Sequence, residues 1–298
     1  MISVRIPATT ANLGPGFDTL GMALQLYNEV ELMYSSNGSS IEIVGEGAHS
    51  LPRNENNIVY QSIAKFYAYL GKAMPGLKIR TINRIPLARG LGSSSAAIIG
   101  GLSAANALEG SPFNQNVILD LAMELEGHPD NITPALVGGL TISCVEGNKV
   151  HYIKTNPPPE LKAIVAIPDF QVATADARKV LPVLVSLHDA VFNVSRSSLV
   201  VASMMSGQLS LLESAMQDRL HQQYRAGLIP GLEDVFASAR EAGALAVVIS
   251  GSGPTVIAFG TESLASIGEG MKNGFAKNQI SCKIVETGIC LEGTRIIS

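Results

Sequence analysis

A glycine- and serine-rich segment at residues 86–97, PLARGLGSSSAA, carries the strongest chemical signal in the sequence. It lies between a segment that alternates like a strand, 77–82, and a run of small and apolar residues, 93–108, that predicts a buried helix. Gly90 and Gly92 permit positive φ and close approach of a ligand. The first amides of the helix are free donors, and the helix dipole adds roughly half a positive charge there. Because such a helix start binds anions and serine hydroxyls can ligate Mg²⁺, the segment predicts a phosphate-binding loop.

Two familiar nucleotide-binding motifs do not match this segment. A Walker A loop needs Lys followed by Ser or Thr after its last glycine, and no lysine follows Gly92. The dinucleotide fingerprint fails too, because its third glycine or alanine and its later acidic residue are missing. The remaining alternative is a serine-capped structural helix packed through residues 96–101, since short glycine motifs recur by chance.

The composition favours a globular, two-domain enzyme. The 298 residues can form two cores without a disulfide or metal, and 46% hydrophobic with 15% charged residues excludes a disordered chain. A net charge of −4 with no basic run argues against nucleic acid or an anionic membrane as a partner. Three cysteines without a CxxC spacing predict reduced core thiols, and no signal peptide or membrane span is recognised. We therefore expect a cytoplasmic protein.

Hydrophobic periodicity predicts an α+β fold in two parts. Three consecutive prolines at 157–159 form a stiff linker and divide the chain into domains 1–155 and 156–298. In the first domain we expect strands and helices at 2–6, 29–34, 41–44, 57–70, 77–82, 93–108, 116–126, 139–145 and 150–154. In the second we expect them at 161–167, 174–180, 187–206, 246–250, 255–259, 264–277 and 282–286. The order β-α-α-β-β-α-β favours a ferredoxin-like sandwich.

Five separated segments resemble the GHMP kinases, the superfamily of galactokinase, homoserine, mevalonate and phosphomevalonate kinases. Residues 7–21 (PATTANLGPGFDTLG), 86–97 and 250–255 (SGSGPT) are similar to its three motifs. Residues 126–131 (EGHPDN) and 174–178 (TADAR) look like the homoserine kinase branch.

The resemblance implies a transferase of threonine biosynthesis that moves the γ-phosphoryl group of ATP, with Mg²⁺, onto L-homoserine. It also implies a homodimer. It further implies an N-terminal ribosomal-S5-like domain with a left-handed βαβ crossover, which the general preference for right-handed crossovers would not predict. Another GHMP kinase acting on mevalonate or a sugar, and a ligand sensor without turnover, remain alternatives.

The resemblance also assigns residues to ATP and the metal. ATP binding is assigned to Asn57, Pro86, Leu87, Ala88, Arg89, Gly90, Leu91, Gly92, Ser93, Ser94, Ser95 and Ala96. Ser94 and Glu126 would hold Mg²⁺. The segment between Glu126 and His128 is shorter than in longer relatives, so Glu124 is an alternative ligand, and both glutamates could instead be solvated helix-end charges.

For homoserine, the resemblance gives a set of residues around its amino, hydroxyl and carboxylate groups. They are Asn12, Asp18, His128, Asn131, Thr174, Arg178, Arg225, Gly251 and Gly253. An aspartate suits an ammonium group, and arginine grips a carboxylate through two parallel bonds. Without the resemblance, we would interpret the two arginines as surface residues and His128 as a structural histidine. Asp18 and the two glycines would be interpreted as turn residues.

Asn131 stands where mevalonate-kinase-like relatives carry an aspartate proposed as the catalytic base. An amide cannot usefully accept the hydroxyl proton. We therefore expect catalysis by positioning and charge stabilisation, with Asn131, Arg178 and Arg225 as the catalytic residues. A loose transition state needs little activation of the nucleophile, so a phosphate oxygen can take the proton late.

Overall fold

A computed structural model describes residues 1–298 of the chain. Eleven strands form two sheets: β1 (Ile2–Ala11), β2 (Leu20–Tyr34), β3 (Ser40–Gly45), β4 (Leu77–Asn83), β5 (Leu140–Glu146), β6 (Lys149–Thr155), β7 (Lys162–Pro168), β8 (Ala246–Ile249), β9 (Val256–Gly260), β10 (Cys282–Thr287) and β11 (Arg295–Ile296). Ten α-helices accompany them: α1 (Ile58–Leu70), α2 (Ser93–Leu108), α3 (Gln115–Glu126), α4 (Pro129–Val137), α5 (Thr174–Lys179), α6 (Leu187–Ser206), α7 (Leu212–Ala215), α8 (Gln222–Arg225), α9 (Leu232–Glu241) and α10 (Leu264–Ala276). None of these helices combines the length and apolar character needed to cross a membrane.

The larger sheet has seven strands. Five follow the order β11-β1-β2-β4-β3, and β5 joins β2 to β6. All pairs are antiparallel except β3 and β4, which are parallel and connected through α1. Asn57 caps α1 by accepting a bond from the Val59 amide, and Gly71 ends it in the left-handed region. The α+β architecture and the βαβ crossover unit agree with the predicted fold.

Helix α2 is the central helix of the first half, with the predicted bounds. Its small residues let it approach the neighbouring elements closely. A methyl group on Gly100 would lie 2.8 Å from Val30 Cγ2, and one on Gly101 would lie 2.8 Å from the Val59 carbonyl oxygen. The helix is therefore fixed against both β2 and α1, and this fixes its N-terminus, where the predicted phosphate loop ends.

The smaller sheet has the strand order β10-β7-β9-β8, with every pair antiparallel. Taken with α9 and α10, the order β7-α9-β8-β9-α10-β10 is that of a ferredoxin-like sandwich. The prediction was wrong about which helix follows β7 in this unit, because it used the helices at 174–206 and left out α9. The reason is packing: Val200 and Met204 of α6 belong to the larger core, whereas Val235 of α9 packs under the smaller sheet.

Further features of the structure differ from the sequence expectations or bear on them. Helix α4, which directly follows α3, was not predicted, and strand β11 brings the end of the chain back to pair with β1. The larger core contains residues from both halves of the chain, so the division at residue 155 remains a prediction. The three cysteines are unpaired, but Cys144 is exposed on β5 and is not a core thiol.

Candidate active site

One polar cavity of about 110 Å³ lies where the two halves of the chain meet. Its walls come from the turn after β1, the phosphate loop, the start of α4, helices α5 and α8, and the turn after β8. The lining residues are Asn12, Asp18, Ala88, Arg89, Gly90, Gly92, Ser93, Ser94, Glu126, His128, Asp130, Asn131, Thr174, Arg178, Arg225, Gly251 and Ser252. Only one of them is hydrophobic, so the cavity suits a small, charged ligand.

The phosphate loop is held in a left-handed backbone conformation that leads into α2. Gly90 has a φ of 72° and Gly92 a φ of 67°, and Ala88 is at 51° despite its side chain. The Ser250 hydroxyl donates to the Gly90 carbonyl oxygen at 2.6 Å, which ties the loop to the turn after β8. Ser93 and Ser94 line the cavity, so the start of α2 opens onto it. The unpaired amides of a helix start are suitable donors for a phosphate.

Glu126 is the carboxylate that reaches the start of α2. Its two oxygens accept from the Ser94 hydroxyl at 3.0 Å and the Ser95 hydroxyl at 2.6 Å. Glu124, the alternative ligand, instead pairs with Lys65 on α1. Carboxylate and hydroxyl oxygens are suitable donors for Mg²⁺, which usually combines one or two protein ligands with substrate phosphates. The donor set at Glu126 thus fits the implied metal.

Asp18 and Arg178 form an ion pair across the cavity. The guanidinium donates from Nη1 at 3.0 Å and from Nη2 at 2.7 Å to the two carboxylate oxygens. The hydrogen bond to Asp18 raises the pKa of Arg178. Asn12 holds Asp18 from the other side, because its Oδ1 accepts from the Asp18 amide at 3.1 Å and its Nδ2 donates to the Gly251 carbonyl at 3.0 Å. The two groups expected to bind the substrate's opposite charges are therefore adjacent.

Arg225 is a buried cation without a carboxylate partner. Its Nε donates to the Ala177 carbonyl at 3.2 Å and its Nη1 to the Gly251 carbonyl at 2.9 Å, while Nη2 makes no hydrogen bond within the protein. Burial, helped by the nearby charge of Arg178, lowers the pKa of Arg225 to about 10. The group stays charged at neutral pH, and an anion in the cavity would satisfy it.

The start of α4 contributes a chain of hydrogen bonds. Asp130 accepts from His128 Nδ1 at 2.7 Å and from Asn131 Nδ2 at 3.3 Å. The Thr9 hydroxyl donates to Asn131 Oδ1 at 2.7 Å, which fixes the orientation of the amide. Burial lowers the pKa of His128, but the bond and charge of Asp130 outweigh it, so the pKa is raised overall.

The cavity brings together most of the residues expected at the site. Seven lie outside its lining: Asn57, Pro86, Leu87, Leu91, Ser95, Ala96 and Gly253. The side chain of Asn57 caps α1 and donates to the Pro52 carbonyl at 2.8 Å. Sequence reasoning missed Asp130 and Ser252, although both lie inside motifs that it used. An acidic residue in the first turn of a helix beginning at Pro129 was the available signal for Asp130.

Comparison with known proteins agrees with this geometry. The GHMP kinases N terminal domain matches residues 57–139, and the GHMP kinases C terminal domain matches residues 200–277. Homoserine kinase of Moorella thermoacetica is 48% identical over 294 residues, which cover 99% of each chain. The crystal structure of homoserine kinase from Cytophaga hutchinsonii has a TM-score of 0.92 at 34% identity and covers 99% of this chain and 97% of that one.

A crystal structure of mevalonate kinase has a TM-score of 0.72 at 16% identity, covering 98% of this chain and 100% of that one, and shows a shared fold alone. The full-length identity to the first two relatives is decisive. The chain belongs to the homoserine kinase family of the GHMP kinases.

Proposed function

We propose that the protein is a homoserine kinase, which transfers the γ-phosphoryl group of ATP to the hydroxyl of L-homoserine and releases ADP and O-phospho-L-homoserine. One observation carries the proposal. A single cavity joins a helix start that suits phosphates with an aspartate and two arginines that suit a free amino acid. This combination favours an acceptor with both an ammonium and a carboxylate group, whereas mevalonate carries only the carboxylate and sugars carry neither.

Before the amino acid binds, Asp18 and Arg178 neutralise each other through their ion pair. When the substrate enters, its ammonium group shares Asp18 and its carboxylate shares Arg178, so neither protein charge is left alone. The free Nη2 of Arg225 supplies a second donor to the carboxylate. The three side chains thereby place the hydroxyl of the substrate toward α2.

The residues around the hydroxyl favour positioning over proton abstraction. Asn131 is an amide that Thr9 orients, so it offers no basic atom, and Oδ1 of Asp130 is held by His128 Nδ1 and Asn131 Nδ2. The amides at the start of α2 stabilise the charge of the transferred group. Mg²⁺ held by Ser94 and Glu126 would neutralise phosphate charge. The phosphorus–oxygen bond to ADP breaks, the bond to the homoserine oxygen forms, and the proton leaves on a phosphate oxygen.

Measurement of ADP release tests the proposal. Homoserine, mevalonate, galactose and shikimate are each supplied with ATP and Mg²⁺, and the product is identified by ³¹P NMR. We expect turnover with homoserine at least about a hundredfold faster than with the others, because the site offers partners to both an ammonium and a carboxylate group and each of the other acceptors lacks at least the ammonium. Faster turnover with mevalonate or galactose would assign another GHMP activity. Binding of ATP without any turnover would indicate a ligand sensor.

We also propose that a second copy of the chain covers an apolar surface on α6. Leu187, Val191 and Val194 lie one and two turns apart and are 81%, 60% and 68% exposed, and Val183 and Leu184 before the helix are more than 80% exposed. Burying five such side chains removes roughly 300–600 Å² per copy from water. This is a large part of the ~800 Å² per partner in a stable dimer.

The oligomeric state tests this surface. In analytical ultracentrifugation, Val191→Glu should convert a wild-type dimer into a monomer. Ile153→Glu, at an equally exposed position on β6, should leave the dimer intact. A wild-type monomer at micromolar concentration would contradict the proposed dimer.

A further inference from the structure

His221 is a fully buried side chain next to the cavity that the proposed chemistry does not use. It lies at the N-terminal end of α8, one helical turn before Arg225, and does not line the cavity. Its Nε2 is 2.7 Å from the Gly14 carbonyl oxygen, and its Nδ1 is 3.3 Å from Nη1 of Arg225. The imidazole therefore bridges the turn after β1 and the buried arginine.

The two partners determine the tautomer of the ring. A carbonyl oxygen can only accept a hydrogen bond, so Nε2 must carry the proton that is donated to Gly14. A guanidinium can only donate, so Nδ1 must present its lone pair to Arg225. Only the neutral Nε2–H form of His221 satisfies both contacts.

The surroundings favour this neutral form. Burial lowers the pKa of His221, and the charge of Arg225 acts in the same direction. The carboxylates that face the ring, Asp218 at 3.6 Å and Asp18 further away, act in the opposite direction but do not outweigh burial. Asp218 is also held by the backbone amides of His221 and Gln222, at 2.9 and 2.7 Å. Protonation of the ring would place two buried cations against each other.

The bridge continues into the first motif. Asn193 of α6 donates to the Pro15 carbonyl at 3.1 Å and to Asp218 at 2.7 Å, so α6 and α8 hold the same turn. The Phe17 ring lies 5.3 Å from the His221 ring and 5.3 Å from the Arg225 guanidinium carbon. The turn that carries Asn12 and Asp18 is thereby fixed relative to Arg225.

We propose that His221 is a positioning residue that uses Nδ1 to orient the Arg225 guanidinium toward the carboxylate of the substrate and Nε2–H to anchor the turn after β1. The inference rests on the proposed function only in naming an amino-acid carboxylate as the ligand of Arg225. Loss of the Nδ1 acceptor should weaken homoserine binding and leave ATP binding unchanged, because the phosphate loop has no contact with His221.

Two amide substitutions separate the two contacts. His221→Asn keeps an acceptor near the position of Nδ1 but cannot reach Gly14, whereas His221→Gln keeps a donor near Nε2 but leaves Arg225 without its acceptor. We expect His221→Gln to raise the KM for homoserine about tenfold, which corresponds to about 1.4 kcal/mol, and to leave the KM for ATP within about twofold. His221→Asn should keep the KM for homoserine within about threefold of wild type. The surface control His151→Gln should change neither constant.

Equal effects of the two substitutions on homoserine, or parallel changes in the KM for ATP, would overturn the proposal and leave His221 a structural residue. A wild-type enzyme that does not act on homoserine would instead refute the proposed function.

The tautomer can be measured without any substrate. The ¹⁵N chemical shifts of the His221 ring should show a protonated Nε2 and an unprotonated Nδ1 from pH 6 to 8. A protonated Nδ1, or titration of the ring in this range, would overturn the inference whichever substrate the enzyme uses.

Discussion

Gly92 connects the phosphate loop to the hydrogen bond that orients Asn131, so Gly92→Ala tests both at once. Gly92 has a φ of 67° and a ψ of 29°. A methyl group built on it would overlap the Thr9 hydroxyl oxygen, and it would lie 3.2 Å from Thr9 Cβ and 3.1 Å from Asn131 Oδ1. The Thr9 hydroxyl would have to leave its place against Asn131. Gly71 is the matched control, because its φ of 72° and ψ of 22° are nearly the same and a methyl group there meets no atom within 4 Å.

The expected loss of stability follows from these contacts. The left-handed conformation costs a non-glycine residue roughly 1–2 kcal/mol, and the stiffer unfolded chain of alanine returns roughly 0.4–1 kcal/mol. Gly71→Ala should therefore lower the free energy of unfolding by about 1 kcal/mol. Gly92→Ala also loses the bond from Thr9 to Asn131, about 1 kcal/mol, and adds overpacking of roughly 1–3 kcal/mol. Its total loss should be about 3–5 kcal/mol.

Urea unfolding and steady-state kinetics measure the two effects. We expect Gly92→Ala to reduce kcat/KM for homoserine about a hundredfold, because the phosphate loop and the Asn131 amide move together by a fraction of an ångström. Gly71→Ala should keep kcat/KM unchanged. If the two variants unfold at the same urea concentration and keep equal activity, the close approach of Gly92 to Thr9 has no functional role.

Thr9, His128 and Glu126 are the other side chains of the site whose substitution gives a defined expectation. Thr9→Val keeps the approximate volume but removes the hydroxyl that orients the Asn131 amide. The free energy of unfolding should fall by about 1 kcal/mol and kcat by about tenfold, and an unchanged kcat would contradict this role. Asp130 raises the pKa of His128, so the contact between the protonated His128 and Asp130 stabilises the folded state. This stabilisation is complete below the unfolded-state pKa of about 6.5 and is lost as the pH rises through the folded-state pKa. The difference in unfolding free energy between wild type and His128→Asn should therefore shrink as the pH rises. Urea titrations from pH 5 to 9 measure this difference, and a difference that grows with pH would contradict the prediction. Glu126→Gln should raise the Mg²⁺ concentration needed for half-maximal kcat about tenfold, whereas Glu124→Gln, the paired control, should not.

The ion pair between Asp18 and Arg178 and the free nitrogen of Arg225 show how the cavity manages its charge. The paired groups compensate each other, whereas Arg225 relies on backbone carbonyls and on the His221 lone pair. In the proposed binding mode, an incoming amino acid would complete both arrangements and leave neither Asp18, Arg178 nor Arg225 without a partner. This explains physically why a zwitterion suits the cavity better than a neutral alcohol.

The sequence alone determined the elements whose signal is local. Helices α2 and α6 have the predicted bounds, because small or apolar runs with clear ends specify a helix whatever packs around it. The glycine-rich loop before α2 and the GHMP kinase family were also predictable, since positive-φ glycines and a helix start act through the local backbone.

Only the tertiary structure decided which of these residues meet. It placed α9 under the second sheet and returned β11 to the first, since strand pairing and core packing join residues far apart in sequence. It brought Glu126 to the serine hydroxyls at the start of α2 and Glu124 to Lys65, placed Asp130 in the cavity lining, and put the unnoticed His221 against Arg225. These side-chain contacts depend on side-chain direction and burial, which cannot be read from the order of residue types. A hydrogen bond forms or fails within a few tenths of an ångström, and the packing of the whole chain sets that distance.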